Sequence, residues 1–557
     1  MDSSAYERAF STYHELLKQR ELLDCRIREA ASALNATAPI NRLPPDILVH
    51  IFNDVKTLAS EGFRLPATDE IYPAKQPNSW FTLLSVSQTW RTVACNSPLL
   101  WQDINVGARE NMPLFRLFLQ RSGSADINVS FVGTDCLYSL LPELIAHRSR
   151  IRSLSFEMLP TFRANSISVL LGSHMPRLEK LAVTFGRLDW ESELEHVPDN
   201  ESDTAYRELK WGQPFLRLTP RDLGQLPHLA NLRLRNVELV TPLALNPSFL
   251  TCLMLHNLRT APVCLYDLLY LLERCHRLET LVLDRYSYYI SSTPYHTRRI
   301  QLSPTLKWFR MQDGHSSIAM FLAKVAVPCT TRVSITKLAS NREFPSSLSA
   351  CFPEDRTGLP LLSQLHQVDV DLKDHGHYRR DIIRARCGDI AFMIDFRQRE
   401  DLLRDIVAGL LGIFGESPIT ELKMSGIASG HTTTIQWTQI LQHFSQLRSL
   451  TVDSQLYWMG SPATATLLLA LATAQVDGNA LCTELEELSI GSDYNTRNEV
   501  IVQNVITCLN ARTTMGKRLR KLRVHGMDDQ LLDELRPHAD IVEASDGAKL
   551  LKCSRAY

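Results

Sequence analysis

A spacing of leucines most constrains what this chain can fold into. Beyond residue 106 the pattern Leu-x-x-Leu-x-Leu, with Ile, Val, Phe or Met as substitutes, recurs at Ile151-Leu154-Phe156, Leu178-Leu181-Val183, Leu229-Leu232-Leu234, Leu250-Leu253-Leu255, Leu278-Leu281-Leu283 and Leu306-Phe309-Met311. It returns at Leu365-Val368-Val370, Ile419-Leu422-Met424, Leu447-Leu450-Val452, Leu485-Leu488-Ile490 and Leu519-Leu522-Val524, with fainter copies at Ile127-Val129-Phe131, Val333-Ile335 and Ile390-Phe392. Uninterrupted starts lie about 21 to 28 residues apart, the period of stacked repeat units. Alternation on a short strand sends the apolar residues inward and the residues between them outward. Apolar helical runs such as Leu265 to Leu272 and Ile440 to Phe444 precede the strands and cover the other side. No unit of this kind buries its apolar face alone, so neighbours must stack.

The pattern resembles the leucine-rich repeat. The resemblance implies an α/β solenoid, a horseshoe of parallel strands inside and helices outside, over residues 107–557. The Asn or Cys usual three residues after the last Leu is mostly replaced, as by Gly186, Val237 and Tyr286. That predicts the loss of a hydrogen-bond ladder and an irregular curvature. The long step from Leu178 to Leu229 reads as an insertion or a degenerate repeat, and its residues 189–203 form an acidic stretch.

A different pattern precedes the array. In Leu43-Pro44-Pro45-Asp46-Ile47-Leu48 the prolines set a helix start, and Ile47, Leu48, Ile51 and Phe52 fall on one face. A second amphipathic run, Trp80 to Arg91, contains Leu84, Val86 and Trp90, and a turn at Asn96-Ser97-Pro98 leads to Leu100 and Trp101. Short helices cannot hide so many apolar groups internally, so part of the stripe should meet a partner. In order, polarity and approximate spacing this stretch resembles the F-box, with Leu43, Pro44, Asp46, Ile47, Leu48, Ile51, Phe52, Val86, Trp90, Arg91, Pro98, Leu100 and Trp101 as the matching residues. It departs in Asp46, where Glu is usual, and in roughly 17 to 20 extra residues at about 56–78, which read as an inserted loop. The reading is a small all-α F-box-like domain over 39–106. The resemblance implies that Leu43, Pro44, Ile47, Leu48, Ile51, Phe52, Leu84, Val86, Trp90 and Trp101 include the surface that docks a Skp-family adaptor. Leu48→Asp with Phe52→Asp is then expected to abolish that docking while leaving the repeats folded.

Residues 1–38 form an amphipathic helix, with Tyr6, Phe10, Tyr13, Leu17, Leu23, Ile27 and Leu34 recurring every three or four positions. The repeat stutters near Arg20, which favours packing against its own chain over a short dimeric coiled coil. No homo-oligomer is otherwise indicated.

A net charge of -1 supplies no global field for nucleic acid or membrane. Twelve scattered cysteines without a C-x-x-C suit free thiols in a reducing, intracellular compartment, cytoplasmic or nuclear. The outward positions of the strands, Arg233, Arg235, His256, Asp284, Arg310, Asp369, Asp371, Lys423 and Asp453 among them, mix both signs in a way that suits a protein surface. Tyr286, Tyr288 and Tyr289, followed by Tyr295, Arg298 and Arg299, add side-chain types enriched in binding hot spots.

Signs of catalysis are weak. Asp369-Val370-Asp371 has the form of a metal-nucleotide site, but strand alternation alone explains the spacing. His375 and His377 lack a third ligand, Cys275-His276 sits at a helix end, and the cluster Lys517, Arg518, Arg520, Lys521 and Arg523 has no interleaved aromatics. No phosphate loop or hydrolase motif is present. The expectation is therefore no catalytic residue, no metal and no cofactor.

An F-box ahead of leucine-rich repeats looks like the substrate-receptor subunit of a Skp–cullin–F-box ubiquitin ligase, and is similar to the large F-box-like families of mushroom-forming fungi. The implied partners are the adaptor, through it a cullin, and an unidentified target protein. The alternative is a non-ligase repeat scaffold whose F-box remnant packs inward and binds no adaptor.

Overall fold

The structure is a computed structural model. It describes residues 3–61, 79–107, 112–132, 137–159, 164–185, 216–240, 245–258, 263–286, 288–289, 298–338, 348–375, 378–397, 403–426, 433–453, 462–473, 480–491, 498–525 and 529–545. The acidic stretch 189–203, residues 62–78 of the insertion, and Tyr295 lie outside them. The chain divides into two compact units, Met1–Leu159 and Pro160–Ala556. No helix among the described residues is long and apolar enough to cross a membrane.

The first unit holds a long helix, Ser3–Thr37, then the helix Pro45–Glu61, a 3-10 turn Ser79–Ser85, the helix Gln88–Cys95 and a 3-10 turn Pro98–Trp101. Strand Asp103–Val106 follows and pairs in parallel with Ile127–Val132, which pairs with Ile151–Leu159. These three strands fall in the same compact unit as the helices before them. Lys56 ties the two together: its buried ammonium donates to the Leu100 carbonyl at 2.9 Å and pairs with Asp103 at 2.6 Å. Arg150 does similar work, donating to Ser122 Oγ at 2.8 Å and to the Leu119 carbonyl at 2.9 Å.

In the second unit the leucine periodicity becomes a mostly parallel ladder. Lys180–Phe185, Asn231–Arg235, Cys252–His256, Thr280–Asp284, Trp308–Asp313 and Arg332–Lys337 pair in succession. After a break the order resumes through Glu421–Ser425, Ser449–Asp453, Glu487–Gly491, Lys521–His525 and Ile541–Ser545. Register places Leu232 beside Leu253 and Leu234 beside Leu255, and all four are buried. Helices such as Leu265–Arg274 back the strands, burying Leu268, Leu269 and Leu272.

The break contains an element that the leucine spacing does not predict. Gln367–His375, Tyr378–Cys387 and Ile390–Arg397 form an antiparallel meander, so Arg332–Lys337 pairs with Ile390–Arg397, the last of the three, while Gln367–His375 pairs with Glu421–Ser425. The apolar rows continue across it: Val370 faces Ile383, which faces Ile394, and all three are buried. The expectation of uniformly parallel strands fails here because three strands joined by two-residue connections can keep the same inward alternation only by reversing direction. Gly388, with φ +57, supplies the left-handed turn residue between the second and third.

A ladder of turns runs one residue before the position at which Asn or Cys is usual in the repeat. Asn236, Asn257 and Arg285 follow their strands with φ of 56, 44 and 49, a conformation that Asn tolerates through its short polar side chain. Each backbone N–H donates to the end of the next strand, at His256, Asp284 and Gln312 respectively. Asn257 Nδ2 donates to Asn236 Oδ1 at 2.6 Å, and Asn236 Nδ2 to the Phe185 carbonyl at 3.0 Å. Gly426 takes the same place after Glu421–Ser425, with φ +76 and no room for a Cβ against the Leu372 carbonyl. The next position, Val237, Leu258 and Tyr286, is apolar and buried. Asn236→Ala should lower stability by about 1–3 kcal/mol, since it loses both side-chain bonds at a left-handed position. Urea unfolding should show a lower midpoint for Asn236→Ala and Gly426→Ala, and a smaller loss for Asn236→Gly.

Candidate functional site

In the first unit, burial sorts the expected docking residues into two groups. Leu48 and Phe52, one turn apart on Pro45–Glu61, point into the core, where the Phe52 and Trp90 rings lie 5.0 Å apart. Trp101 is buried against Trp80 and Phe118, and its indole N–H donates to the Ala94 carbonyl at 2.8 Å. These four form the interior of the helical segment, so as placed they offer nothing to a partner. An aspartate pair at Leu48 and Phe52 would unfold the segment rather than report on docking. Pro44, Ile47 and Val86 are exposed, Ile47 to 42% and Val86 to 50%, and Leu43, Ile51 and Leu84 are half-buried. Ile40, Leu58 and Leu99, which were not singled out, are also exposed. The sequence marked one amphipathic stripe; only packing shows which edge of it is left over.

The second unit presents its candidate surface on the strand face opposite the leucines. Arg233, Arg235, His256, Asp284, Arg310, Asp369, Lys423 and Asp453 all lie there half-buried. His256 Nδ1 sits 3.3 Å from Asp284 Oδ2 across adjacent strands, and Arg310 reaches Gln312 at 3.4 Å. Two residues depart from the expectation. Tyr286 is 1% exposed, because the position after the left-handed turn feeds the core, and Asp371 is 6% exposed. Tyr288–Tyr289 is a short strand paired with Val263–Cys264, and its side chains lie outside the described residues.

The meander supplies residues that the sequence did not flag. Arg384 lies opposite Asp369 in the antiparallel register, 3.9 Å from its carboxylate and 3.6 Å from that of Asp371. The acids that mimic a metal-nucleotide site therefore face a guanidinium. Beside them opens a cleft of about 630 Å³, lined by Asp369, Arg384, Lys423, Arg448, Glu487 and Arg523 among others. Its lining mixes both signs of charge, which suits recognition of a polar protein surface more than of a polyanion. Four of the five residues of the basic cluster are likewise matched: Arg518 pairs with Asp540, Arg520 with Glu486, Lys521 with Glu543, and Arg523 with both Glu487 and Glu543.

The remaining chemistry-bearing groups do not converge. No group of three His, Cys, Asp or Glu placed to hold a metal occurs among the described residues, and His377 lies outside them. Burial pushes the Cys275 and Cys482 thiols up to about 12 and that of Cys508 to about 11, so none is a thiolate near neutral pH. A scan against protein-family models returns no match, and neither does a comparison with curated proteins.

One half-buried acid makes a pH dependence. Asp313, at the end of Trp308–Asp313, is pushed up to about 6 by burial and by the nearby Asp284, against the opposing Gly314 N–H bond of 2.8 Å. Between its unfolded value of 3.8 and about 6 the folded state holds the extra proton, so stability falls as pH rises through that window and levels off above it. Replacing the ionisable group removes the effect. Asp313→Asn should become progressively more stable than wild type from pH 4 to pH 7, by on the order of 3 kcal/mol at most, as read by urea midpoints across that range.

Proposed function

We propose that this chain is the substrate-recognition subunit of a Skp–cullin–F-box ubiquitin ligase. On this reading the helical segment around Pro45–Glu61 and Gln88–Cys95 is an F-box that docks a Skp-family adaptor, and the second unit is a leucine-rich repeat array that holds a target protein. The observation that carries it is the apolar surface left exposed around this segment, Ile47 to 42% and Val86 to 50%, with Ile40, Leu58 and Leu99 exposed as well. Leftover apolar surface of this kind is what a partner covers. Leu43, Ile51 and Leu84 border it, and the cullin is reached only through the adaptor. The subunit performs no chemistry and needs no cofactor: holding the target beside a conjugating enzyme raises the effective concentration of its lysines. The mixed charges of the strand face, with Arg384, Lys423 and Arg523 beside Asp369 and Glu487, are the surface we assign to the target.

A second reading, a repeat scaffold that binds no adaptor, draws on the burial of Leu48 and Phe52. Half of the apolar stripe on Pro45–Glu61 is used internally, as it would be in a remnant.

The two separate in a pull-down of the purified chain with a Skp-family adaptor. The informative variant is Ile47→Asp with Val86→Asp, because both positions are exposed and the fold should survive, as circular dichroism would show. The ligase reading predicts wild-type binding and a loss of at least about 30-fold in the variant, the equivalent of one hot-spot contact of roughly 2 kcal/mol. A wild type that does not bind leaves the scaffold reading.

A further inference from the structure

The helix Ser3–Thr37 leaves most of its apolar residues exposed rather than packed against its own chain, and among the described residues nothing specifies what covers them. On the strand face of the second unit the uncovered groups are more particular. From Lys180–Phe185 to Arg332–Lys337 the outward positions carry Lys180, Arg233, Arg235, Arg310 and Arg332 against a single acid, Asp284. Lys180, Arg233, Arg235 and Arg332 have no ion pair among the described residues. Three buried polar atoms on adjacent strands of this face also lack a hydrogen-bond partner there: Nε of Arg233, Nε2 of His256 and Oδ1 of Asp284. Buried polar groups are nearly always satisfied, so three orphans on neighbouring strands mark a place where a ligand supplies the partners.

Register gives the dimensions. Arg233 lies beside Met254, Met254 beside Val282 and Val282 beside Arg310, on four adjacent strands. At about 4.8 Å between strands the two arginines stand about 14 Å apart. Between them Met254, half-buried, and Val282, 5% exposed, make an apolar floor. An extended chain rises about 3.4 Å per residue and turns every second side chain to the same side, so residues i, i+2 and i+4 span about the same 14 Å.

We infer that this part of the face binds an extended peptide laid across the strands, with acidic residues at i and i+4 on Arg233 and Arg310 and an apolar residue at i+2 on Met254 and Val282. Carboxylates match the forked N–H donors of the guanidinium groups. Methionine adapts its shape to an incoming side chain, and Trp308, 39% exposed and beside Thr280 in register, supplies a further apolar edge. Asp284 selects a peptide over a nucleic acid: its orphan oxygen needs a donor, which a main-chain N–H provides and a phosphodiester does not. Arg235, beside His256 in register, adds to the attraction for an acidic segment. The inference needs neither an adaptor nor the ligase reading, and its test contains the chain and a peptide alone.

The test is fluorescence anisotropy of a labelled peptide, Gly-Ser-Glu-Ser-Leu-Ser-Glu-Ser-Gly, against the full chain. The peptide should bind with an affinity that falls as salt rises. Moving the second Glu by one residue, or replacing Leu by Ser, should weaken binding by about 10-fold, the loss of one good contact. Arg233→Ala and Arg310→Ala should each weaken it by about 10-fold or more, Arg233→Lys should retain part of it, and Arg221→Ala, an exposed cation on the helix Pro220–Gly224, should leave it unchanged. Circular dichroism checks that each variant is folded. A wild type that does not bind at about 1 mM peptide, equal affinity for the shifted peptide, a folded Arg233→Ala variant that binds as wild type does, an equal loss in Arg221→Ala, or tighter binding of a single-stranded oligonucleotide than of the peptide overturns the inference.

Discussion

The second unit depends on one constraint: the inward residues of each short strand are buried only by the strands on either side. Leu232 and Leu234 lie between the pairs at Leu181 and Val183 and at Leu253 and Leu255, so a slip of one residue anywhere would turn a whole apolar row outward. The left-handed turns at Asn236, Asn257, Arg285 and Gly426 end four of the strands at the same point and pass a backbone N–H to the next, which holds the register there. The antiparallel meander obeys the same rule. It reverses the chain direction twice yet keeps Val370, Ile383 and Ile394 in one buried row.

That constraint also determines what the outward face can be. With the apolar residues committed inward, the intervening residues are free to be polar, and they become a row of charges from different strands held about 5 Å apart by the ladder. Arg384 enters this row from the reversed strand and answers Asp369 and Asp371. The face is therefore largely balanced in charge, in keeping with a chain whose net charge is -1. In the first unit the same logic works through burial. Phe52, Trp90 and Trp101 are committed to the interior, and Ile47 and Val86 are among the apolar residues left at the surface.

Much of this architecture was legible because leucine spacing reports burial directly: the last two apolar positions of all eleven full copies of the pattern fall on strands. The strand Tyr378–Cys387 escaped because Ile382, Ile383 and Ala385 lack that spacing, although Gly388-Asp389 between two alternating runs is itself a hairpin signal. Tyr286 was misread for another reason. Tyrosine is common in binding surfaces, but Val237 and Leu258 hold the equivalent places after the other left-handed turns, and all three are core. For Leu48 and Phe52 the pattern carried too little information, since an amphipathic helix shows that a face is covered without showing by what. Arg512 illustrates the same limit: a cation in a helix of the sequence, it is fully buried, donating to the Leu481 and Cys482 carbonyls at 2.9 and 3.1 Å.

The central claim is that the exposed apolar edge of the helical segment is an adaptor-docking surface. Hydrogen exchange of the full chain with and without a Skp-family adaptor tests it most directly, because it reads every backbone segment at once. The account predicts added protection over residues 40–51 and 84–91, with the strands of the second unit unchanged. Protection absent from those segments, or falling instead on the strand face around Arg384, would contradict it.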